Sequence, residues 1–235
     1  MRAVMHSLLG LAQVMLGAGA LALAALAVAP ATSAQAMTFR LAPAGNPLNC
    51  GARCPKIIVA EGEIGIDTPA QFVRFVRQNV GDRSVRAVVL IHSPGGVVVS
   101  SMRLGQLFRQ VGAAVIVARV GGVSATGEPI FASANCASAC VYALMGAKKR
   151  VVPPQSRLVI HRMYAYETFG GFDDSAPQRQ KTYRNTELYN QLSRYARTMG
   201  VNPEVIRQAE SLPAERVKVI SQAELRRWRL AVPKL

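Results

Sequence analysis

Val85–Ile91 is a nearly unbroken apolar run. It leads at once into Ser93-Pro94-Gly95-Gly96, and then into apolar residues at helical spacing from Val98 to Val111. A strand that is apolar along its length needs cover on both faces, which a parallel sheet between other layers supplies. Pro-Gly-Gly reads as a sharp strand-to-helix turn. The pattern has neighbours on both sides. Upstream, Ile57-Ile58-Val59 is a short β-branched strand. Thr68-Pro69-Ala70-Gln71 then opens a helix with a hydroxyl cap, proline at the first helical position and glutamine three residues after the cap. Downstream, Ala113–Ala118 is the next buried strand. The order strand, helix, strand, helix, strand predicts stacked right-handed crossovers around a mostly parallel sheet. The chain has 235 residues, enough for one α/β domain with a substantial core plus a leader.

Residues 136–161 concentrate the chemistry. Cys136-Ala137-Ser138-Ala139-Cys140 precedes an apolar helix, Val141–Met145, then Gly146, the basic run Lys148-Lys149-Arg150 and a strand, Arg157–His161. Residues 119–135, rich in Gly, Ser and Ala, read as a loop insertion. Tyr164–Pro177 is aromatic and glycine-rich and carries Asp173-Asp174. Gln178–Met199 reads as one long amphipathic helix with Tyr183, Leu188, Leu192, Tyr195 and Met199 on its inner stripe. A short helix is expected after Asn202-Pro203, and Ser221-Gln-Ala-Glu224 is a capping box that opens a final helix.

The N-terminus has the form of an export leader. After Arg2 no charged residue occurs until Arg40. Between them lie the Ala/Leu/Gly run Leu8–Ala29 and a small-x-small site, Ala34-Gln35-Ala36. Residues 1–36 are therefore expected to be a signal peptide, with Met37 as the mature start. The alternative is an uncleaved anchor, since about 22 apolar residues also suffice to span a bilayer. In either case the body is exported and periplasmic. Residues 37–55 read as an irregular cysteine-containing arm, and 56–235 as the α/β domain.

Four cysteines, Cys50, Cys54, Cys136 and Cys140, suit an oxidising compartment. The local pairing is the simplest, although a bridge from i to i+4 inside a helix is awkward. A link from the 50–54 arm to the 136–140 segment is the alternative. A zinc site is a third reading of the spacing, disfavoured because thiolate sites usually use tighter pairs. The net charge of +15 would permit nucleic-acid or membrane-surface binding. Yet the basic residues are scattered, apart from Arg226, Arg227 and Arg229, and no basic–aromatic alternation is present. A solvated basic surface is the reading adopted, with no nucleic-acid partner.

A serine hydroxyl needs a base to become a nucleophile. His161 is one of three histidines, and His6 lies in the leader. The carboxyl ends of parallel strands are where α/β folds place functional side chains. Ala137 and Ala139 leave room for a carbonyl to approach Ser138. A helix beginning there would offer a backbone N–H to an oxyanion, and Gly95-Gly96 would offer a second without obstruction. His92 is expected to be a hydrogen-bonded residue beneath the turn.

From about Ile57 to Leu230 these motifs resemble the Clp protease proteolytic subunit, within the ClpP/crotonase-like group. Leu90-Ile-His-Ser-Pro-Gly-Gly96 resembles that family's strand and oxyanion loop, and Ala137-Ser-Ala139 its nucleophile segment. Met145-Gly-Ala-Lys-Lys-Arg150 resembles the basic turn that follows. Pro154-Gln-Ser-Arg-Leu-Val-Ile-His161 resembles the strand that delivers the base, and Lys218-Val-Ile-Ser-Gln-Ala-Glu-Leu225 the C-terminal segment. The resemblance implies an α/β spiral of ββα units with C-terminal helices, Ser138 as nucleophile, His161 as general base, and oxyanion amides from Gly96 and Ala139. It implies a peptide or protein substrate, homo-oligomeric assembly, and neither cofactor nor metal. The family's acid position falls on Val217. A Ser-His dyad is therefore expected, or a variant triad completed by Glu215, Asp173 or Asp174. An exported body has no ATP supply, so no ATPase partner is expected. The alternative is a non-catalytic binding or assembly protein that retains the fold.

Overall fold

The computed structural model describes residues 35–79, 81–169, 178–183 and 186–234. The chain enters as strand β1 (Thr38–Pro43), makes a short helix α1 (Pro47–Cys50), and returns as β2 (Lys56–Glu61). Helix α2 (Thr68–Asn79), β3 (Val85–His92), α3 (Val98–Gln110) and β4 (Ala114–Val123) follow. Next come β5 (Pro129–Ser133), β6 (Asn135–Ala137), α4 (Cys140–Gly146), β7 (Lys149–Val151) and β8 (Arg157–His161). The C-terminal part holds β9 (Ala165–Phe169), β10 (Gln178–Thr182), α5 (Thr186–Thr198), α6 (Glu204–Ser211), β11 (Val217–Val219) and α7 (Gln222–Arg227).

β2, β3 and β4 are parallel neighbours, and β7 adds in parallel to the first half of β4. β1 closes the other edge antiparallel to β2. A second, three-stranded sheet has the order β11-β8-β6, with β6 and β8 parallel. The expected α/β class and mostly parallel sheet are present. The cover on the two faces is unequal. Ile58, Ala60, Val89, Ile91, Val115 and Val117 point into the main core with residues of α2, α3 and α4. Ile57, Val59, Leu90 and Ala118 form a smaller cluster on the other face.

Helix α4 is the buried centre of the domain, with every one of its residues buried. It approaches α3 closely enough that a Cβ on Gly146 would lie 2.1 Å from Gly105 backbone atoms. Arg150 ties its C-terminal end. The guanidinium donates to the carbonyls of Met145, Ala147, Met199, Arg229 and Leu230. The planar five-donor fork suits such convergence, which a lysine ammonium would not reproduce. The basic run of the sequence thus contains one structural arginine.

Three expectations are corrected. Residues 119–135 are not a loop insertion: β4 continues past the sheet to Val123 and returns as β5 in an antiparallel hairpin. Glycine content masked this strand, because backbone pairing rather than side-chain burial holds it. The arm after Met37 is not irregular at its start, since Thr38–Pro43 pairs with β2 residue for residue. The helix expected over Gln178–Met199 begins only at Thr186, and Gln178–Thr182 pairs with β9 instead. Its polar sequence carries no strong period of its own, so tertiary pairing decided it. The Ser221–Glu224 capping box forms as expected, with both reciprocal bonds.

Both cysteine pairs are local disulfides, Cys50–Cys54 and Cys136–Cys140. The objection to a bridge inside a helix does not arise, because Cys136 lies in β6 and Cys140 is the first residue of α4. Residues 1–34 of the expected leader lie outside the described residues. Its last two, Gln35 and Ala36, run alongside Glu63, where the Glu63 N–H donates to the Gln35 carbonyl. Among the described residues no helix is long and apolar enough to cross a membrane.

Candidate active site

The site is built where β6, β8 and the turn after β3 meet. Ser93 bridges to Cys136: its N–H donates to Asn135 O, and Ala137 N–H donates to Ser93 O. Ser93 is buried, and its hydroxyl accepts the Gly95 N–H at 3.1 Å. Gly95 and Gly96 follow with φ of 111° and 133°. Side chains are excluded there twice over. That backbone is strained for any L-residue. A Cβ on Gly95 would also sit 2.7 Å from Ala137 O and 2.8 Å from Ser138 Cβ, and one on Gly96 2.3 Å from Ile64 O. The turn is therefore pressed directly against Ser138.

Ser138 does not cap the helix, as a start at that residue would require. It lies between β6 and α4 at φ 55°, in the left-handed region. For a serine this conformation costs about 1–2 kcal/mol. The Ser138 N–H donates to Val159 O of β8 at 2.8 Å. The next amide, Ala139 N–H, has no acceptor among the described residues, and neither has Gly96 N–H. Ala139 is fully buried, and its amide lies 3.1 Å from the point where a Gly95 Cβ would stand. The disulfide Cys136–Cys140 spans this turn, so the strained serine sits inside a closed loop.

His161 ends β8, two residues beyond the carbonyl that holds Ser138. Because β6 and β8 are parallel, serine and imidazole emerge at the same end of adjacent strands. His161 Nδ1 lies 2.7 Å from Arg162 O. A carbonyl only accepts, so this bond puts a proton on Nδ1, and in the neutral ring Nε2 is then the nitrogen with the free lone pair. The ring stacks on Tyr164, with centroids 5.6 Å apart. No hydrogen bond joins the Ser138 and His161 side chains among the described residues. His92 is held beneath the turn, its Nδ1 lying 3.1 Å from Asn135 O and 3.2 Å from Asn135 N.

A cavity of about 170 Å³ adjoins His161, lined in part by Tyr164, Lys181, Tyr183, Glu215 and Val217. Glu215 is brought near His161 but is engaged elsewhere. Its carboxylate accepts Lys181 Nζ at 2.9 Å and the Tyr183 hydroxyl at 2.7 Å. These two bonds, Lys181 first, hold its carboxyl below the ordinary value. Asp173 and Asp174 lie outside the described residues.

Sequence reasoning missed Glu210. It is half-buried on α6, and its Oε1 accepts the Met163 N–H at 2.9 Å. Burial pushes its carboxyl up, opposed by the Met163 N–H and by the charges of Arg162 and His161. No motif announces it, because it reaches the site from a helix 49 residues beyond His161.

A parallel-sheet α/β spiral with a serine on a strained strand-to-helix turn and a histidine on the neighbouring strand defines the ClpP-like class. The model of the Clp protease family matches residues 56–227, and the chain belongs to that family. Among solved structures it is similar to a mutant of the 1510-N membrane-bound stomatin-specific protease. That match has 16% identity over 74% of this chain and 75% of the other, with a TM-score of 0.50. A second mutant of that protease, in complex with a substrate peptide, gives 17% identity over 74% and 71%, with a TM-score of 0.47. No curated protein sequence matches the chain.

Proposed function

We propose that the chain is an exported serine peptidase of the Clp protease family that works as a Ser-His dyad without an ATPase partner. His161 Nε2 takes the proton from Ser138 Oγ as the oxygen attacks the acyl carbon of a peptide. The Gly96 and Ala139 amides hold the resulting oxyanion. The imidazolium then returns its proton to the leaving amine, and water releases the acyl group by the same steps in reverse.

The observation that carries this reading is the left-handed backbone at Ser138. Strain of this kind on a non-glycine residue concentrates at functional sites, where it aims a side chain. A serine serving only as a helix cap would take extended backbone and bond to the helix amides, and Ser138 does neither. The unbonded Gly96 and Ala139 amides supply the matching donors. Export rests on the leader-like residues 1–36, with Leu8–Ala29 as an anchor if uncleaved, and on the two disulfides. Homo-oligomeric assembly is carried over from the family.

The test is labelling of the purified, oxidised protein with a fluorophosphonate, read by intact mass beside Ser138→Ala and His161→Ala. One adduct on the wild type, absent from both variants, is expected. Absence of any adduct would favour a second reading, a non-catalytic binding protein. The observation behind that alternative is the apolar Val217 paired with His161.

A further inference from the structure

We infer that Glu210 stands in for the missing triad acid, acting on His161 through the single peptide group that joins Arg162 to Met163. This inference rests on the serine-peptidase reading for its catalytic meaning, although its geometry is independent of it. The peptide has two polar ends. Its carbonyl, on Arg162, accepts His161 Nδ1–H at 2.7 Å. Its N–H, on Met163, donates to Glu210 Oε1 at 2.9 Å. In a trans peptide these groups point in opposite directions, so one rigid plane connects base and carboxylate.

The physical effect has two parts. A carboxylate that accepts an amide N–H makes a charge-assisted bond and polarises the amide, which strengthens its carbonyl as an acceptor. The Arg162 carbonyl then holds Nδ1–H more firmly, which fixes the tautomer and the ring orientation. The carboxylate charge also favours the imidazolium that forms when Ser138 is deprotonated. No proton passes along the peptide; Nδ1 keeps its proton throughout, and only Nε2 exchanges one. Glu210 is thus a positioning residue.

The placement is specific. Met163 is 8% exposed, and α6 packs against β8, so the carboxylate acts in a partly dry setting where its charge is weakly screened. Glu215 is the nearest rival. It is solvent-exposed, and Lys181 and Tyr183 already occupy its oxygens.

The test uses nitrogen NMR of the mature protein with labelled histidine. Only His92 and His161 occur after residue 36, so the spectrum contains one reporter and one internal control. Imidazole nitrogen shifts report which ring nitrogen carries the proton. The wild type is expected to hold His161 as the Nδ1–H tautomer. Glu210→Gln keeps an acceptor for Met163 N–H but removes the charge. It should move His161 toward Nε2–H, leave His92 unchanged, and slow fluorophosphonate labelling about 10-fold, a part of the roughly 10²–10⁴-fold that a general base contributes, since the base itself is retained. Glu215→Gln serves as the competing-acid control. An unchanged His161 tautomer in Glu210→Gln, or a shift produced by Glu215→Gln instead, overturns the inference. If Glu210→Gln does not fold, Glu210→Asp, which withdraws the charge by one methylene, is read by the same criteria. A wild type that never labels, yet shows the tautomer shift, sinks the peptidase reading and leaves the Glu210 coupling standing.

Discussion

Val217 stands directly opposite His161 in the antiparallel pairing of β8 with β11. Directly opposed residues project to the same face with Cβ atoms about 5 Å apart. Val217 is 65% exposed, so the position has room for a carboxylate. Val217→Asp is expected to raise the fluorophosphonate labelling rate several-fold and to change stability by less than about 0.5 kcal/mol, the usual range for a surface substitution. Parallel rate and melting measurements check both. An unchanged rate would mean that the base is already held as well as an acid could hold it.

The strain at Ser138 has a thermodynamic signature. Glycine adopts φ near 55° freely, whereas serine does not. Ser138→Gly is therefore expected to abolish labelling while stabilising the protein by about 1 kcal/mol. Ser138→Ala, which retains a Cβ, should abolish labelling with no such gain. Denaturant titration of the two variants side by side checks this, and equal stabilities would show that the turn is relaxed.

The two disulfides close loops of the same length, and by the chain-entropy account each contributes roughly 2 kcal/mol. Their effects on labelling should differ. Replacing Cys136 and Cys140 by alanine frees the turn that carries Ser138 and is expected to slow labelling sharply. Replacing Cys50 and Cys54 should lower stability by a similar amount and leave the labelling rate unchanged. Equal effects on labelling would remove the nucleophile-turn role from Cys136–Cys140.

Acid stability should fall in a defined window. Burial pushes the Glu224 carboxyl up, but Lys218 and the amide and hydroxyl of Ser221 pull it down to about 2 from an ordinary 4.5. Lys56, followed by Ser84, holds the Asp82 carboxyl far below its usual range. Both folded values are depressed, so the stabilising contribution is complete above the unfolded values and is lost as pH falls toward 2. The melting temperature is expected to drop between pH 4.5 and about 2, and Glu224→Gln should flatten that slope. A slope unchanged in Glu224→Gln would place the loss elsewhere.

Much of the site was legible because it is local. Ser93-Pro94-Gly95-Gly96 could be read as a turn, since only glycine tolerates both the backbone and the contacts found there. Ser138 and His161 could be read as a hydroxyl and a base at strand ends. The strain at Ser138 was not legible, because it arises from the bond between its amide and Val159 across two strands. Glu210 was invisible for the same reason. Its partner, the Met163 amide, belongs to a different element, and nothing in the sequence of α6 marks one glutamate over another.

From the sequence alone follow the α/β class, the crossover order, the serine and histidine, and the absence of an acid at residue 217. These rest on short-range physics: apolar period, turn chemistry and capping act within a few residues. Tertiary structure alone decided that residues 119–135 form a hairpin, that Arg150 clamps the end of the buried helix, that Glu215 is engaged by Lys181, and that Glu210 faces the peptide beside His161. Each depends on a hydrogen bond between segments distant in sequence, and in all but the Lys181–Glu215 pair at least one partner is a backbone amide or carbonyl, which every residue carries and no sequence pattern distinguishes.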